Sequence, residues 1–293
     1  MNWDDVRIFL AVARAGQILG AARRLSLNHA TVSRRVAALE EALRTKLFRR
    51  LTTGSELTPA GERLLVIAER MEADMLAARA ELAEGDGQVS GTVRVGAPDG
   101  FGVSYLAPRL GALVEQHPEL KVQLVPVPRS FSLSRREADI AITTERPAEG
   151  RLVAVKLVDY SLGLFAAKSY AATHGLPQER RDLARHRLVG YVPDLVFSPS
   201  LDYAEEFSPA WDAGFMISSA LGQTEAVRAG AGIGILHTFI ARAMPELVAV
   251  EGVAPIRRAY WLVYHESMRG IPRIHTVADF IALRVEQDRQ LFT

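Results

Sequence analysis

The stretch from residue 16 to residue 50, GQILGAARRLSLNHATVSRRVAALEEALRTKLFRR, constrains this chain more than any other. It reads as two helices joined by a tight turn. A short helix over 19–25 packs through Ala21, Ala22 and Leu25; Ser26-Leu27-Asn28 then breaks the pattern, and a second helix starts near His29. Val32, Val36, Leu39 and Leu43 recur at helical spacing and form one buried face. Thr31, Ser33, Arg34 and Arg35 are left near the exposed face. Asn28 is a favourable N-cap, so the positive helix end points outward with Asn28 and His29 at its tip. A helix presented in this way can enter a major groove and read base edges. Double-stranded DNA is the partner this pattern predicts.

Charge agrees with that reading. Residues 1–58 hold ten basic and five acidic side chains, whereas the whole chain carries a net charge of only +1. Positive charge concentrated on one small segment is the footprint expected for a phosphate backbone. After the second helix, Leu47 and Phe48 read as core, and two short extended pieces flank the turn at 52–55. This predicts a small hairpin, or wing, with Arg49 and Arg50 at its base for phosphate or minor-groove contact.

Thr58-Pro59 opens a third helix, with Thr as N-cap and Pro at the first helical position. It runs to about residue 84, and Leu64, Ala68, Met71, Met75, Ala78 and Leu82 trace a heptad seam along it. An amphipathic helix lying on its own domain is one reading. A length of about 26 residues favours pairing between two chains instead, and so a dimer presenting two recognition helices to a pseudo-palindromic site.

At 293 residues the chain is long enough for two or three domains. It has no cysteine, which excludes disulfides and thiolate metal sites and fits a reducing cytoplasm. No apolar run approaches a membrane span, and the N-terminus lacks a secretory pattern. From residue 91 strand-like and helix-like stretches alternate. Strands are expected at 92–97, 121–127, 139–143, 162–166, 187–191, 215–218, 232–236, 247–250 and 258–265. Helices are expected at 103–116, 130–137, 223–229, 237–244 and 274–290, the last with Val277, Phe280, Ile281 and Val285 inward. The alternation implies a parallel α/β sheet, and two strand-rich halves imply two lobes with a ligand cleft between them.

Four motif sets in the N-terminal part carry a resemblance: AA-x-x-L at 21–25, V-S-x-x-V-x-x-LE at 32–40, LF-x-R at 47–50 and LTPAG at 57–61. With G-x-VRVG at 91–96, EADIAI at 137–142 and V-x-AG-x-GIG-x-L at 227–236, the whole chain resembles the LysR-type transcriptional regulators. The resemblance implies an α/β protein with a mostly helical winged helix-turn-helix domain (1–58), a long linker helix for dimerisation (59–87) and an effector-binding domain (88–293). That last domain would be periplasmic-binding-protein-like, with lobe I at 88–162 plus 267–293 and lobe II at 163–266. The chain would cross between lobes near 158–163 and return near 266–270. A cytoplasmic homodimer or homotetramer is implied, binding promoter DNA, RNA polymerase and a small-molecule effector that alters DNA binding and bending. No cofactor is expected.

The sequence departs from the family pattern at several points. Asn28-His29 replaces the usual Ser-Gln, and Arg44 stands where a glycine is usual, at a cost of up to about 1 kcal/mol if the left-handed turn is kept. His237 replaces a proline and reads as a solvent-facing or capping histidine. Carried over by position, the effector site comprises Asp99 and Gly100 after the first strand and Arg129 and Ser130 after the second. Phe197, Ser198, Ser218 and Ser219 come from the opposite lobe. Asp99 and Arg129 are expected to face one cleft.

Enzyme signatures are weak. Gly230-Ala231-Gly232-Ile233-Gly234 follows a helix and enters a strand, the reverse of a dinucleotide-binding loop. The histidines lack HxxxH or HExxH spacing, and no G-x-S-x-G or P-loop is present. The alternative is a small-molecule-binding α/β protein or enzyme with an N-terminal interaction domain that does not touch DNA.

Overall fold

The computed structural model describes residues 3–51, 54–83, 89–127, 133, 137–148, 150–196 and 198–292. The chain divides into two compact units, Met1–Gln88 with Ser132–Glu137 and His265–Pro272, and Val89–Phe131 with Ala138–Tyr264 and Arg273–Thr293.

The N-terminal part of the first unit runs α1 (Trp3–Ala15), α2 (Ile18–Leu25), α3 (His29–Ala42), β1 (Phe48–Leu51), β2 (Gly54–Leu57) and α4 (Pro59–Ala83). Ile8, Ala11 and Val12 of α1 pack on Ala21 and Ala22 of α2 and on Val32 and Val36 of α3. Val6, Phe9 and Leu10 pack with Leu39, Leu47 and Ala68. Each fully buried side chain of this kind, Leu39 for instance, contributes about 1.5–3 kcal/mol. Phe48 joins the two clusters, its ring 5.3 Å from that of Phe9.

Local chemistry sets the turns. Ser26 ends α2 and Arg44 follows α3, both with left-handed φ values, 54° and 50°. The wing strands pair from Phe48↔Leu57 to Leu51↔Gly54. Gly54 is required by the approach of the wing to the turn after α1, because a Cβ there would lie 2.4 Å from the Gly16 carbonyl oxygen. The Thr58 hydroxyl accepts from the Gly61 amide at 3.0 Å and donates to the Lys46 carbonyl, capping α4.

The heptad seam on α4 does not stay whole. Leu64 and Ala68 pack into the domain's own core, whereas Met71, Met75 and Ala78 are exposed, joined on the surface by Val66 and Ile67. Leu82 lies outside the described side chains. The first turns of α4 therefore close the small domain, and the exposed residues of the seam, Met71, Met75 and Ala78, lie further along.

The second unit holds β3 (Gly91–Ala97), α5 (Asp99–Phe101), a π-helical turn (Gly102–Leu106), α6 (Ala107–Gln116), β4 (Leu120–Pro126), β5 (Ile140–Thr143) and β6 (Leu152–Ala167). There follow α7 (Lys168–His174), β7 (Leu188–Gly190), α8 (Ala204–Phe207), β8 (Phe215–Met216), α9 (Ala220–Arg228), β9 (Ile233–His237), α10 (Thr238–Ala241), β10 (Leu247–Ala249), β11 (Ile256–His265) and α11 (Pro272–Gln287). Val277, Ile281 and Val285 of α11 are buried and Phe280 is half-buried.

The sheet is mixed rather than parallel. Its strand order is β4-β3-β5-β11-β6-β9-β7-β8, with β10 on β6. β3, β4 and β5 run parallel in one half, and β7, β8 and β9 in the other. Between them, β6 pairs antiparallel with β9, and β11 antiparallel with β5. β6 is a 16-residue strand that starts ten residues before the expected 162–166 segment. The return also comes earlier than the expected 266–270, because Trp261–Tyr264 of β11 already pair with β5. The helix expected at 130–137 falls largely outside the described residues.

Candidate functional site

In the first unit the Asn28 side chain accepts from the Thr31 amide at 2.7 Å and starts α3. Asn28, His29 and Arg34 are exposed, and Thr31 and Ser33 are half-buried. Arg34 makes no ion pair among the described residues, so its guanidinium is available. Arg35 differs. It pairs with Asp5 at 2.8 Å and Asp4 at 3.4 Å on α1, which makes it a brace between helices. Arg49 is bound to Glu56 across the hairpin, which raises its pKa through that hydrogen bond and charge and leaves less positive charge for a phosphate. The Arg50 side chain lies outside the described residues.

Glu40 was not anticipated as a site residue. It is buried at the end of α3, and it accepts from the Leu47 amide at 2.9 Å, the Phe48 amide at 3.2 Å and Lys46 Nζ at 2.7 Å. Burial works to raise its pKa, but Lys46 and the two amides outweigh it and hold the carboxylate below its usual range. Glu40 thus ties the wing to the recognition helix.

In the second unit Asp99 is buried at the first position of α5. Its Oδ2 accepts from the Ser219 hydroxyl at 2.5 Å and from the Leu221 amide at 3.3 Å. Ser219 is the N-cap of α9 and also accepts from the Gly222 amide. Asp99 therefore neutralises the first turn of a helix in the opposite half of the sheet, where a carboxylate is favoured. Gly100 packs beside this junction, and a Cβ there would stand 3.4 Å from Ala220 and 3.6 Å from His237. Ser218 is half-buried.

His237 is not solvent-facing. It is buried and stacked on Tyr160, centroids 5.3 Å apart, and Tyr160 is stacked on Tyr260 at 4.1 Å. Burial pushes the imidazole pKa down to about 4, the Asp99 charge opposing only part of that shift. The Tyr160 and Tyr260 hydroxyls are buried and find no hydrogen-bond partner among the described residues apart from each other.

A second junction joins the halves. Glu145, just after β5, accepts from the Ser198 hydroxyl at 2.7 Å and the Ser200 amide at 2.5 Å. Thr144 accepts from the Ser200 hydroxyl at 2.7 Å. Arg258 of β11 donates to the Ser200 carbonyl and pairs with Glu206. Burial favours the neutral Glu145, but Ser198 and Ser200, with Arg258 nearby, hold it ionised below the usual range. The structure thus gathers Asp99, Gly100 and Ser219 beside His237 and its stack on Tyr160 and Tyr260, and sets Ser198 in the second junction with Glu145. Arg129, Ser130 and Phe197 lie outside the described residues, and so does the expected Asp99–Arg129 pairing. Glu145, Ser200, Arg258 and the tyrosines have no motif to mark them. The signal for the tyrosines was their place on strands where aliphatic residues would serve packing equally well. Among the described residues no group of three or more His, Asp or Glu side chains is placed to hold a metal ion, and no helix is long and apolar enough to cross a membrane.

Comparison with known proteins gives this arrangement a family. Residues 86–285 match the LysR substrate binding domain, and residues 3–62 match the bacterial regulatory helix-turn-helix proteins of the lysR family. The HTH-type transcriptional regulator CrgA of Neisseria meningitidis serogroup C is 30% identical over 191 residues, 65% of this chain and 64% of that protein. The match thus spans just under two thirds of that relative's length. The Mau operon transcriptional activator of Paracoccus denitrificans is 27% identical over 286 residues, 96% of each chain. Among solved structures, CrgA aligns with a TM-score of 0.59 at 25% identity, covering 97% of this chain and 99% of that one. Full-length LysG from Corynebacterium glutamicum, solved with bound effector Arg, shares the fold with a TM-score of 0.66 at 21% identity, covering 98% and 99%. With both of its domains matched, each in its place along the chain, this protein belongs to the LysR-type transcriptional regulators.

Proposed function

We propose that this chain is a cytoplasmic, sequence-specific regulator that binds promoter DNA as a dimer or dimer of dimers and changes its DNA contacts when a small molecule enters the second unit. One observation carries the DNA reading: the Asn28-capped start of α3 is exposed and offers His29 and Arg34, the latter with no ion pair among the described residues. Asn28, His29, Thr31, Ser33 and Arg34 read bases or adjacent phosphates, and Arg49 and Arg50 touch the backbone beside them. Arg35 contributes chiefly by holding α3 on α1. Met71, Met75 and Ala78 on α4 supply the apolar surface for pairing. Asp99, Gly100, Ser198, Ser218 and Ser219, with Arg129, Ser130 and Phe197, form the effector site, and the bound state is read by RNA polymerase.

The test is the salt dependence of duplex binding by the full chain. Neutralising several phosphates requires affinity to fall steeply and linearly in log–log form between 50 and 200 mM salt, by a factor on the order of 10³ or more. A flat response would remove the DNA reading and favour a ligand-binding protein whose N-terminal domain docks on another protein.

A further inference from the structure

Beside the residues of the proposed effector site lies a separate cavity of about 320 Å³, walled by residues from 190–196 and 201–216 together with Gln223 and Ile235. None of Asp99, Ser198, Ser219 or His237 lines it. Its volume is at the small end of ligand sites, enough for a compact metabolite rather than a peptide.

Its chemistry is one-sided. Among the described residues the charged ones lining it are Asp202, Glu205 and Asp212, all acids, with no Lys or Arg in its walls. The three carboxylates are exposed and make no ion pair among the described residues. Three aromatic rings, Tyr191, Tyr203 and Trp211, line the same space, those of Tyr191 and Tyr203 meeting edge to face at 6.3 Å. Gly190 makes room for the indole, since a Cβ there would stand 3.1 Å from Trp211 Nε1. Gln223 supplies an independent sign of a ligand. It is only 2% exposed, its amide nitrogen donates to the Ile217 carbonyl, and its Oε1 has no hydrogen-bond partner among the described residues although the side chain lines the cavity. An acceptor that opens onto a cavity from a buried side chain is met by a donor from outside the chain.

We infer that this cavity binds a small organic cation, a substituted ammonium with an apolar body and a hydroxyl or N–H that donates to Gln223 Oε1. Aromatic faces attract an ammonium group through the ring quadrupole, and they do so best when water is displaced. The carboxylates at the rim supply long-range attraction and disfavour anions. Leu201 and Ile235 on the cavity wall accept the apolar part. The inference rests on the reading of the second unit as a small-molecule sensor and names a ligand class for it.

The test uses the full chain and two probes of nearly equal shape, choline and its uncharged counterpart 3,3-dimethylbutan-1-ol, at matched ionic strength. Binding is followed by calorimetry and tryptophan fluorescence. Choline should bind at least about tenfold more tightly than the alcohol, the discrimination expected of a desolvated cation–π site. The combined variant Asp202→Asn, Glu205→Gln, Asp212→Asn changes exposed side chains and keeps the fold, and it should cut choline affinity several-fold while leaving the alcohol unchanged. Trp211→Leu should abolish both the preference and the fluorescence response. Equal binding of the two probes, no binding of either at millimolar concentration, or choline affinity indifferent to the carboxylate variant would each overturn the inference. A metabolite of another class that raises the melting temperature of a chain indifferent to choline would refute it too, and would leave the sensor reading standing.

Discussion

The Ser219 hydroxyl donates to Asp99 Oδ2 at 2.5 Å, and this bond joins the end of the first strand in one half of the sheet to the N-cap of α9 in the other. Asp99 is buried, so it relies on Ser219 and the Leu221 amide for solvation that water would otherwise give. Replacing Ser219 by Ala removes a helix cap and a donor to a buried carboxylate together. The expected cost is about 2–3 kcal/mol, read from urea unfolding of the full chain. Asp99→Asn keeps the volume and should cost less. A Ser219→Ala change below about 0.5 kcal/mol would show that the junction carries no stability.

The neutral His237 gives the second unit a pH dependence with a definite sign. Its pKa in the folded protein is about 4, below the ordinary 6.5. An unfolded chain therefore takes up this proton at higher pH than the folded one. The stability that comes from keeping the ring neutral is fully present above pH 6.5 and is lost as pH falls toward 4. Compared with His237→Phe, which keeps the stack on Tyr160, the wild type should lose about 3 kcal/mol more across that interval. Parallel stability curves for the two proteins would contradict the assignment.

Arg44 holds φ at 50° just beyond α3. A side chain in that region carries a steric cost that glycine avoids. Arg44→Gly should therefore raise the stability of the N-terminal unit by up to about 1 kcal/mol, visible as a higher melting temperature. If Arg44 also contacts phosphate, the same variant will weaken all DNA sequences alike.

How much of this was legible in the sequence differs between the two units. The caps Asn28 and Thr58, the buried series Val32, Val36 and Leu39, and the wing follow from local rules, because neighbours along the chain decide them. The role of Arg35 does not, since its partner Asp5 lies on another helix, and spacing on α3 alone makes Arg35 look as free as Arg34. The same holds for the start of the α4 seam, where Leu64 and Ala68 have a helical spacing that serves a self-contained core as well as a second chain. In the sheet, strand-forming residues announce strands but not the direction of their partners, so β6 and β11 read as ordinary parallel members. The first half of β6 opens on the apolar run 152–155, but Lys156 and Asp159, bridged at its surface, interrupt the pattern before 162–166. Tyr160, His237 and Tyr260 come from three separate strand regions, and only the folded sheet stacks them.

Met71 and Met75 are 38% and 56% exposed on α4. Replacing both with Asp sets like charges against each other in any paired-helix interface. The variant should sediment as a smaller species than the wild type at equal concentration, with the unfolding of the N-terminal core unchanged because neither residue belongs to it. An unaltered sedimentation profile would place the interface elsewhere.

The most direct test of DNA reading by α3 is selection of sites from a random duplex pool by the full chain and by Arg34→Ala. The account predicts that the wild type enriches pseudo-palindromic half-sites spaced by about one helical turn or a multiple of it. It also predicts that Arg34→Ala relaxes preference at one base pair per half-site while non-specific affinity falls far less, a loss of about 1–3 kcal/mol at that position. A pool that stays random after selection by the wild type, or an Arg34→Ala pool with the same sequence preference, would contradict it.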